Sequence, residues 1–283
     1  MKSIGLMIGI GALALVWPLH AQPTRPKPKK HYLWPKDAGL AEPKQRVKTK
    51  RNVLRLTDID SPYLTVYPAD SDSPTPAMIV CPGGGYGHVC MDKEGSEAEP
   101  WLSKLGVTTI VLAYSTPGKR DEAFKDVRRA IRLVRHNAEK WNIAPKRVGV
   151  MGFSAGGHLA ARLSTEFEVK NTQRIDAIDD LNARPDFCVL VYPAYLLKKG
   201  NLALPVNEKT PPTLIVHTED DRRFIAGSKL YFEALQKKGV MSRFLLFKKG
   251  GHGYGMRAKK EPLASWTRQC GQWLKANVLE KKR

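Results

Sequence analysis

Gly152-Phe153-Ser154-Ala155-Gly156 stands between the apolar run Arg147-Val148-Gly149-Val150-Met151 and a helix-compatible stretch from His158 to Ser164. The order is strand, sharp turn, helix. A serine at the apex of such a turn has its hydroxyl pushed clear of the backbone. The flanking glycines permit a close strand-to-helix approach that side chains would block. This is how a weak nucleophile is presented for covalent catalysis. A five-residue pattern with two glycines recurs by chance, so its surroundings must carry the reading.

Three further parts follow in the order such a site needs. The first is Cys81-Pro82-Gly83-Gly84-Gly85-Tyr86-Gly87, after the apolar run Ala77 to Val80. Consecutive glycines let backbone N–H groups converge on one point. Donors from Gly84, Gly85 or Tyr86, together with the N–H of Ala155, could hold the oxyanion of a tetrahedral intermediate. The second part is the run Pro212 to Asp221, which reads as a strand ending in carboxylates; either Asp220 or Asp221 could orient a histidine. The third is His252, set among Gly250, Gly251, Gly253 and Gly255 after the strand-like Phe244 to Phe247. A histidine between glycines packs against little of its own local chain, which favours a catalytic base. Ser, Asp, His is the chain order of the α/β-hydrolases.

The other histidines are weaker candidates for the base. His20 lies in the leader, His31 in a linker and His136 on a charged helix. His88 and His158 read as packing or hydrogen-bonding partners near the site, and His217 as the anchor of the loop that follows its strand. No pair shows H-E-x-x-H or another metal-ligand spacing, so neither a metal nor a cofactor is implied.

The first 21 residues have a charged start at Lys2, an apolar stretch from Ile4 to Trp17 and a small residue, Ala21, before Gln22. This reads as a secretory signal peptide cleaved after Ala21, too short and wrongly flanked for a stable membrane span. A secreted or periplasmic location is therefore expected. Residues 22–46, rich in proline and lysine, are expected to form a solvated basic linker. Residues 47–283 read as one catalytic domain. Cys81 and Cys188 fall in apolar strands and read as buried thiols, while Cys90 and Cys270 could be paired or free.

The formal net charge is +20. Such an excess attracts polyanions, but no helix-turn-helix, zinc-finger spacing or aromatic single-strand platform points to nucleic acid. An acidic or sulfated polysaccharide, or an anionic cell surface, suits an exported protein better; the charge could also be incidental.

Strands are expected at residues 64–67, 77–81, 108–114, 148–152, 187–192, 213–217 and 243–247. Helices are expected at 96–105, 121–141, 155–164, 227–238 and 262–279. Their alternation implies an α/β fold with a mostly parallel central sheet covered by helices on both faces. The connections leave no room for a large lid domain.

From about Val47 to its end the chain resembles the secreted acetyl xylan esterases and acetylesterases of the α/β-hydrolase fold. Its marks are Val80 to Tyr86, Asp92-Lys93-Glu94-Gly95, Asp126 with Arg129-Ala130-Ile131-Arg132, Gly149 to His158, and Gly250-Gly251-His252-Gly253. The resemblance implies a Ser154, His252 and Asp221 triad that hydrolyses small acyl esters on acetylated poly- or oligosaccharides without a cofactor. A general short-chain or feruloyl esterase, a peptidase, or a non-catalytic binding protein on the same scaffold are the alternatives. One departure stands out. Similar proteins carry Pro-Val-Val-Pro or a close variant after the acid, whereas Asp221 is followed by Arg222-Arg223-Phe224-Ile225.

Overall fold

The apolar runs pair into one eight-stranded sheet in the computed structural model, which describes residues 27–35, 46–50, 52–169 and 174–279. At one edge lie β1 (Lys29–Tyr32) and, beyond the small-sheet strands β2 (Arg46–Lys50) and β3 (Val53–Thr57), β4 (Tyr63–Tyr67). Next in chain order come β5 (Thr75–Cys81), the short β6 (Val89–Cys90), β7 (Thr108–Ala113), β8 (Ile143–Phe153) and β9 (Cys188–Val191). A hairpin of β10 (Leu197–Lys198) and β11 (Asn201–Leu202) precedes β12 (Thr213–Thr218) and β13 (Ser242–Phe247). The spatial order of the main sheet is β1-β4-β7-β5-β8-β9-β12-β13. Pairing is antiparallel from β1 through β4 to β7 and parallel from there on. All the parallel strands therefore end on the same edge of the sheet.

The central strands are continuous apolar runs because both of their faces are covered. Alternation along β5 divides the core: Ala77, Ile79 and Cys81 point into one layer, Met78 and Val80 into the other. The first layer is closed by α2 (Arg120–His136), α3 (Ala155–Thr165) and α4 (Ile225–Lys237); the second by α1 (Glu99–Ser103) and α5 (Trp266–Leu274). On α2 the buried Ala123, Val127, Ala130, Ile131 and Val134 recur at helical spacing and form one stripe. Each fully buried Val, Leu or Ile in these layers contributes roughly 1.5–3 kcal/mol. Truncating one to alanine costs about 2–5 kcal/mol through the cavity left behind.

The expected strands and helices all occur, with shifted ends. The helix read at 121–141 stops at His136; that read at 96–105 is a 3₁₀ turn, Ser96–Ala98, followed by the short α1. The stretch 262–279 divides into a 3₁₀ turn (Leu263–Ser265), α5 and a π-helical turn (Lys275–Leu279).

The linker expected at 22–46 is corrected by residues 29–34. Lys29–Tyr32 pair antiparallel with β4, Leu33 is buried and its carbonyl accepts from Arg129 Nε at 2.9 Å, and Trp34 Nε1 donates to Asp126 Oδ1 at 2.9 Å. The folded domain thus begins no later than Lys29, not at Val47. Lys29 and Lys30 read as solvated residues because they are exposed, which is how a sheet edge is kept from pairing with another chain. The expected leader, residues 1–21, lies outside the described residues. All four cysteines are buried and free. Burial pushes the thiols up, Cys90 to about 11 and Cys188 to about 12. Among the described residues no helix is long and apolar enough to cross a membrane.

Candidate active site

Strand β8 delivers Phe153 to the top edge of the sheet, and the chain turns there at Ser154 with φ 52° and ψ −116° before α3 begins. A non-glycine residue in that region stores strain that the surroundings must hold. They do so sterically. A Cβ on Gly152 would stand 2.1 Å from the carbonyl oxygen of Gly156, and one on Gly156 would stand 2.0 Å from that of Cys81. Backbone bonds from Ser154 N–H to Val191 (3.1 Å) and from Ala194 N–H to the Ser154 carbonyl (2.9 Å) fix the turn against β9.

Ser154 Oγ lies 2.7 Å from His252 Nε2, and His252 Nδ1 lies 2.6 Å from Asp221 Oδ2. A carboxylate only accepts, so Nδ1 carries the proton and Nε2 offers its lone pair to the serine hydroxyl. Asp221 is buried in the loop after β12, and His252 sits in the partly open loop after β13. The three candidate residues, far apart in sequence, meet because β8, β12 and β13 end on one edge.

Asp221 has a second imidazole. His217 is wholly buried, its Nε2 lies 2.9 Å from the same Oδ2, and its Nδ1 lies 2.8 Å from Ser228 Oγ. By the same donor argument Nε2 carries the proton, and Nδ1 accepts from the Ser228 hydroxyl. Burial lowers the His217 pKa against the opposing pull of Asp221, which keeps the ring neutral. Burial works to raise the Asp221 pKa, but the hydrogen bonds from His217 and His252 outweigh it and hold the carboxyl below its ordinary value. The donor atoms of His217, Asp221 and His252 lie within 4.8 Å of one another, a spacing that could also gather a cation. Here both rings are already turned onto the carboxylate. The expectation that His217 anchors its loop is thus met through the acid itself.

Asp220 does different work. Its two oxygens accept from the N–H groups of Gly250 (3.1 Å) and Gly251 (2.9 Å), directly before His252. Those bonds outweigh burial and lower its pKa.

The glycine loop follows β5 beside the serine: a Cβ on Gly83 would be 2.9 Å from Ser154 Cβ. Gly84, Gly85 and Tyr86 run with φ 142°, 65° and 63°, so the loop folds back on itself. The N–H of Gly83 is committed to buried Glu94 Oε2 at 2.8 Å, so it is taken up within the protein. Ala155 opens α3, where a free N–H and the helix dipole both favour negative charge. Buried Tyr86 is locked by a 2.7 Å hydrogen bond from its hydroxyl to His158 Nδ1. Burial, with Arg120 and Arg162 nearby, pushes the His158 pKa down to about 4, so the ring stays neutral and accepts.

Buried Glu94, whose segment carries no catalytic signature in the sequence, holds more than the glycine loop. Its other oxygen accepts from Tyr192 Oη (2.9 Å), which itself accepts from Gly255 N–H (2.8 Å), while neighbouring Lys93 donates to the Gly253 carbonyl (2.8 Å). The Asp92-Lys93-Glu94-Gly95 segment therefore braces the glycine loop and the histidine loop together.

Comparison with known proteins agrees with this architecture. The chain matches the BD-FAE family over residues 64–189 and the prolyl oligopeptidase family over residues 198–280, the latter segment containing the acid and histidine loops. It is 29% identical over 266 residues to an acetylxylan esterase of Xylanibacter ruminicola, covering 84% of this chain and 53% of that protein. It is 31% identical over 235 residues to endo-1,4-beta-xylanase B of Butyrivibrio fibrisolvens, covering 73% of this chain and 36% of that protein. The chain thus spans about half the length, or less, of these curated relatives. Among solved structures it is similar to the acetyl ester-xyloside bifunctional hydrolase of Caldicellulosiruptor lactoaceticus, with TM-score 0.75, 31% identity, and 90% of this chain and 98% of that one covered. With the sheet order, the turn at Ser154 and this coverage in hand, the chain belongs to the acetyl xylan esterase-like family of carboxylic ester hydrolases with the α/β-hydrolase fold.

Proposed function

We propose that the protein removes O-acetyl groups from an acetylated xylan-type poly- or oligosaccharide through an acetyl-enzyme on Ser154. One observation carries the reading: the hydrogen-bonded line Ser154, His252, Asp221 lies directly beside the glycine loop.

Ser154 Oγ attacks the ester carbonyl while His252 Nε2 takes its proton. Asp221 stabilises the imidazolium that forms. The new oxyanion is held by the Ala155 N–H and by backbone donors from Gly84, Gly85 or Tyr86. Collapse of this intermediate expels the sugar oxygen, which takes the proton back from His252. Water then attacks the acetyl-enzyme with His252 again as base, releasing acetate and free Ser154. No step calls for a cofactor.

The names of the relatives support the substrate class, and the apolar leader supports export to the compartment where such polymers are found. The test is acetate release from acetylated xylan by the purified protein, alongside turnover of a small chromogenic acetate. Ser154→Ala should abolish both, by a factor on the order of a million in a comparable triad, and should lose labelling by a fluorophosphonate. Residual turnover above a few per cent would move the nucleophile elsewhere. Faster cleavage of octanoyl or feruloyl esters than of acetyl would overturn the acyl assignment.

A further inference from the structure

The departure at Arg222-Arg223-Phe224-Ile225 falls against the reaction centre. The Phe224 ring lies 5.0 Å from that of His252 and 5.5 Å from that of Tyr195. Tyr195 in turn reaches the glycine loop, with its hydroxyl 3.7 Å from where a Cβ on Gly85 would stand. The two rings thus form a wall running from the oxyanion side of the site to its base.

A guanidinium stands over each end of that wall. Arg223 lies 5.0 Å from the centre of the Phe224 ring; Arg120 lies 4.5 Å from that of Tyr195 and 5.1 Å from that of Tyr86. Both are exposed, and among the described residues neither is ion-paired, whereas Arg129, Arg162 and Arg257 each hold carboxylates. Apart from Glu122, the acids close to them in sequence are engaged elsewhere. Asp121 pairs with Arg162 at 2.9 Å, Glu219 with Lys248 at 2.8 Å, Asp220 holds the glycines and Asp221 the histidines. Helix stability does not explain Arg120 either, because a cation in the first turn of α2 works against the helix dipole.

A guanidinium stacked on a ring keeps its fork of N–H donors pointing outward, matched to a carboxylate. An aromatic face suits the apolar face of a pyranose. We propose that Tyr195 and Phe224, framed by Arg120 and Arg223, form a subsite for a uronic acid carried on the polysaccharide next to the acetylated sugar, with the two arginines reading its carboxylate. The assignment rests on the esterase reading for the neighbouring acetyl group, but the binding it describes needs no turnover.

The test is calorimetric titration of Ser154→Ala, which cannot deacetylate its ligand, with an acetylated xylo-oligosaccharide bearing one glucuronic acid. The same ligand with that carboxyl reduced to an alcohol is titrated in parallel. The acidic ligand should bind roughly tenfold more tightly, the scale of one charge-assisted bidentate contact. Adding Arg120→Gln or Arg223→Gln should bring the ratio of the two affinities close to one. Arg268→Gln, on α5 across the sheet, should leave the ratio intact and so separate a site from diffuse attraction. Equal affinities in the parent, or a ratio that survives both arginine changes, would overturn the subsite; a preference for a sulfated ligand over the carboxylated one would overturn the carboxylate. Failure of the esterase reading appears separately, as absent acetate release by the wild-type protein from the reduced ligand.

Discussion

The nucleophile turn and the acid–histidine side are held in opposite ways. Around Ser154 the constraint is steric: backbone meets backbone so closely at Gly152 and Gly156 that a single methyl has no room. Around Asp221 it is polar. Two imidazoles converge on one oxygen, Ser228 fixes one of them, and Asp220 holds two backbone N–H groups of the histidine loop. Close packing places an atom by excluding every other position, while a hydrogen-bond network places it by partners that can each be removed singly. The first kind of site should fail all at once and the second in steps.

Gly156→Ala is the sharpest break on the steric side. The added Cβ would sit 2.0 Å from a backbone carbonyl that cannot swing away as a side chain could, so the turn must open. Overpacking of a well-packed interior costs typically 1–3 kcal/mol and more where nothing yields. We expect a clear fall in thermal midpoint together with complete loss of activity. A variant that melts like the parent and keeps its turnover would show that the turn has slack.

On the polar side, Asp221→Asn should leave the fold standing and remove the charge that stabilises the imidazolium, costing on the order of ten-thousandfold in turnover as in a comparable triad. Circular dichroism should report an intact protein at that level of inactivity. A loss of activity that tracked unfolding would erase the contrast between the two regions.

The contrast also explains what was legible in the sequence. Steric demands leave glycine as the sole tolerated residue at fixed spacing, so Gly152 to Gly156 and the run Gly83 to Gly85 could be read directly, as could the apolar strands that deliver them. Polar braces use residues with many other uses. Glu94, within a charged four-residue segment that looks like surface, is buried beneath the glycine loop. Nothing in a single chain distinguishes His217 from any histidine ending a strand, apart from its spacing of four from Asp221. The edge strand Lys29–Tyr32 looks like solvated linker in the sequence because Lys29, Lys30 and Tyr32 do face water; its anchors, Leu33 and Trp34, meet Arg129 and Asp126 only in three dimensions.

His217 should give an intermediate effect. Replacing it with leucine removes one of the two donors on Asp221 Oδ2, and the carboxylate can then turn without breaking the chain. We expect kcat to fall by one to two orders of magnitude with KM little changed. The acid limb of stability carries a sign as well. The Asp221 pKa is depressed in the folded protein, so its contribution is present above the unfolded carboxylate value of about 3.9 and is lost as pH falls through the folded one. Losing a donor raises the folded value; since neither leucine nor glutamine titrates as the His217 ring does, His217→Leu should unfold at higher pH on acidification than His217→Gln. His217→Gln, which keeps an N–H donor, should recover part of both effects. A merely space-filling role would give the same kcat for the two variants.

Asp220→Asn should be the mildest. An asparagine has one oxygen where aspartate uses two, so one of the bonds to the Gly250 and Gly251 N–H groups is lost while the other can persist. A net hydrogen bond is worth about 1 kcal/mol, and the histidine loop keeps other ties, from Thr218 Oγ1 to the Gly251 carbonyl (2.9 Å) and from Lys93 to that of Gly253 (2.8 Å). A loss of a few-fold in kcat is expected, with the Ser154 hydroxyl still labelled by fluorophosphonate at a near-normal rate. Kinetics on the two purified asparagine variants decide between neighbours. If Asp220→Asn were nearly dead and Asp221→Asn near wild type, the acid would move by one residue, and the two histidines on Asp221 would be a structural clamp rather than part of the reacting chain.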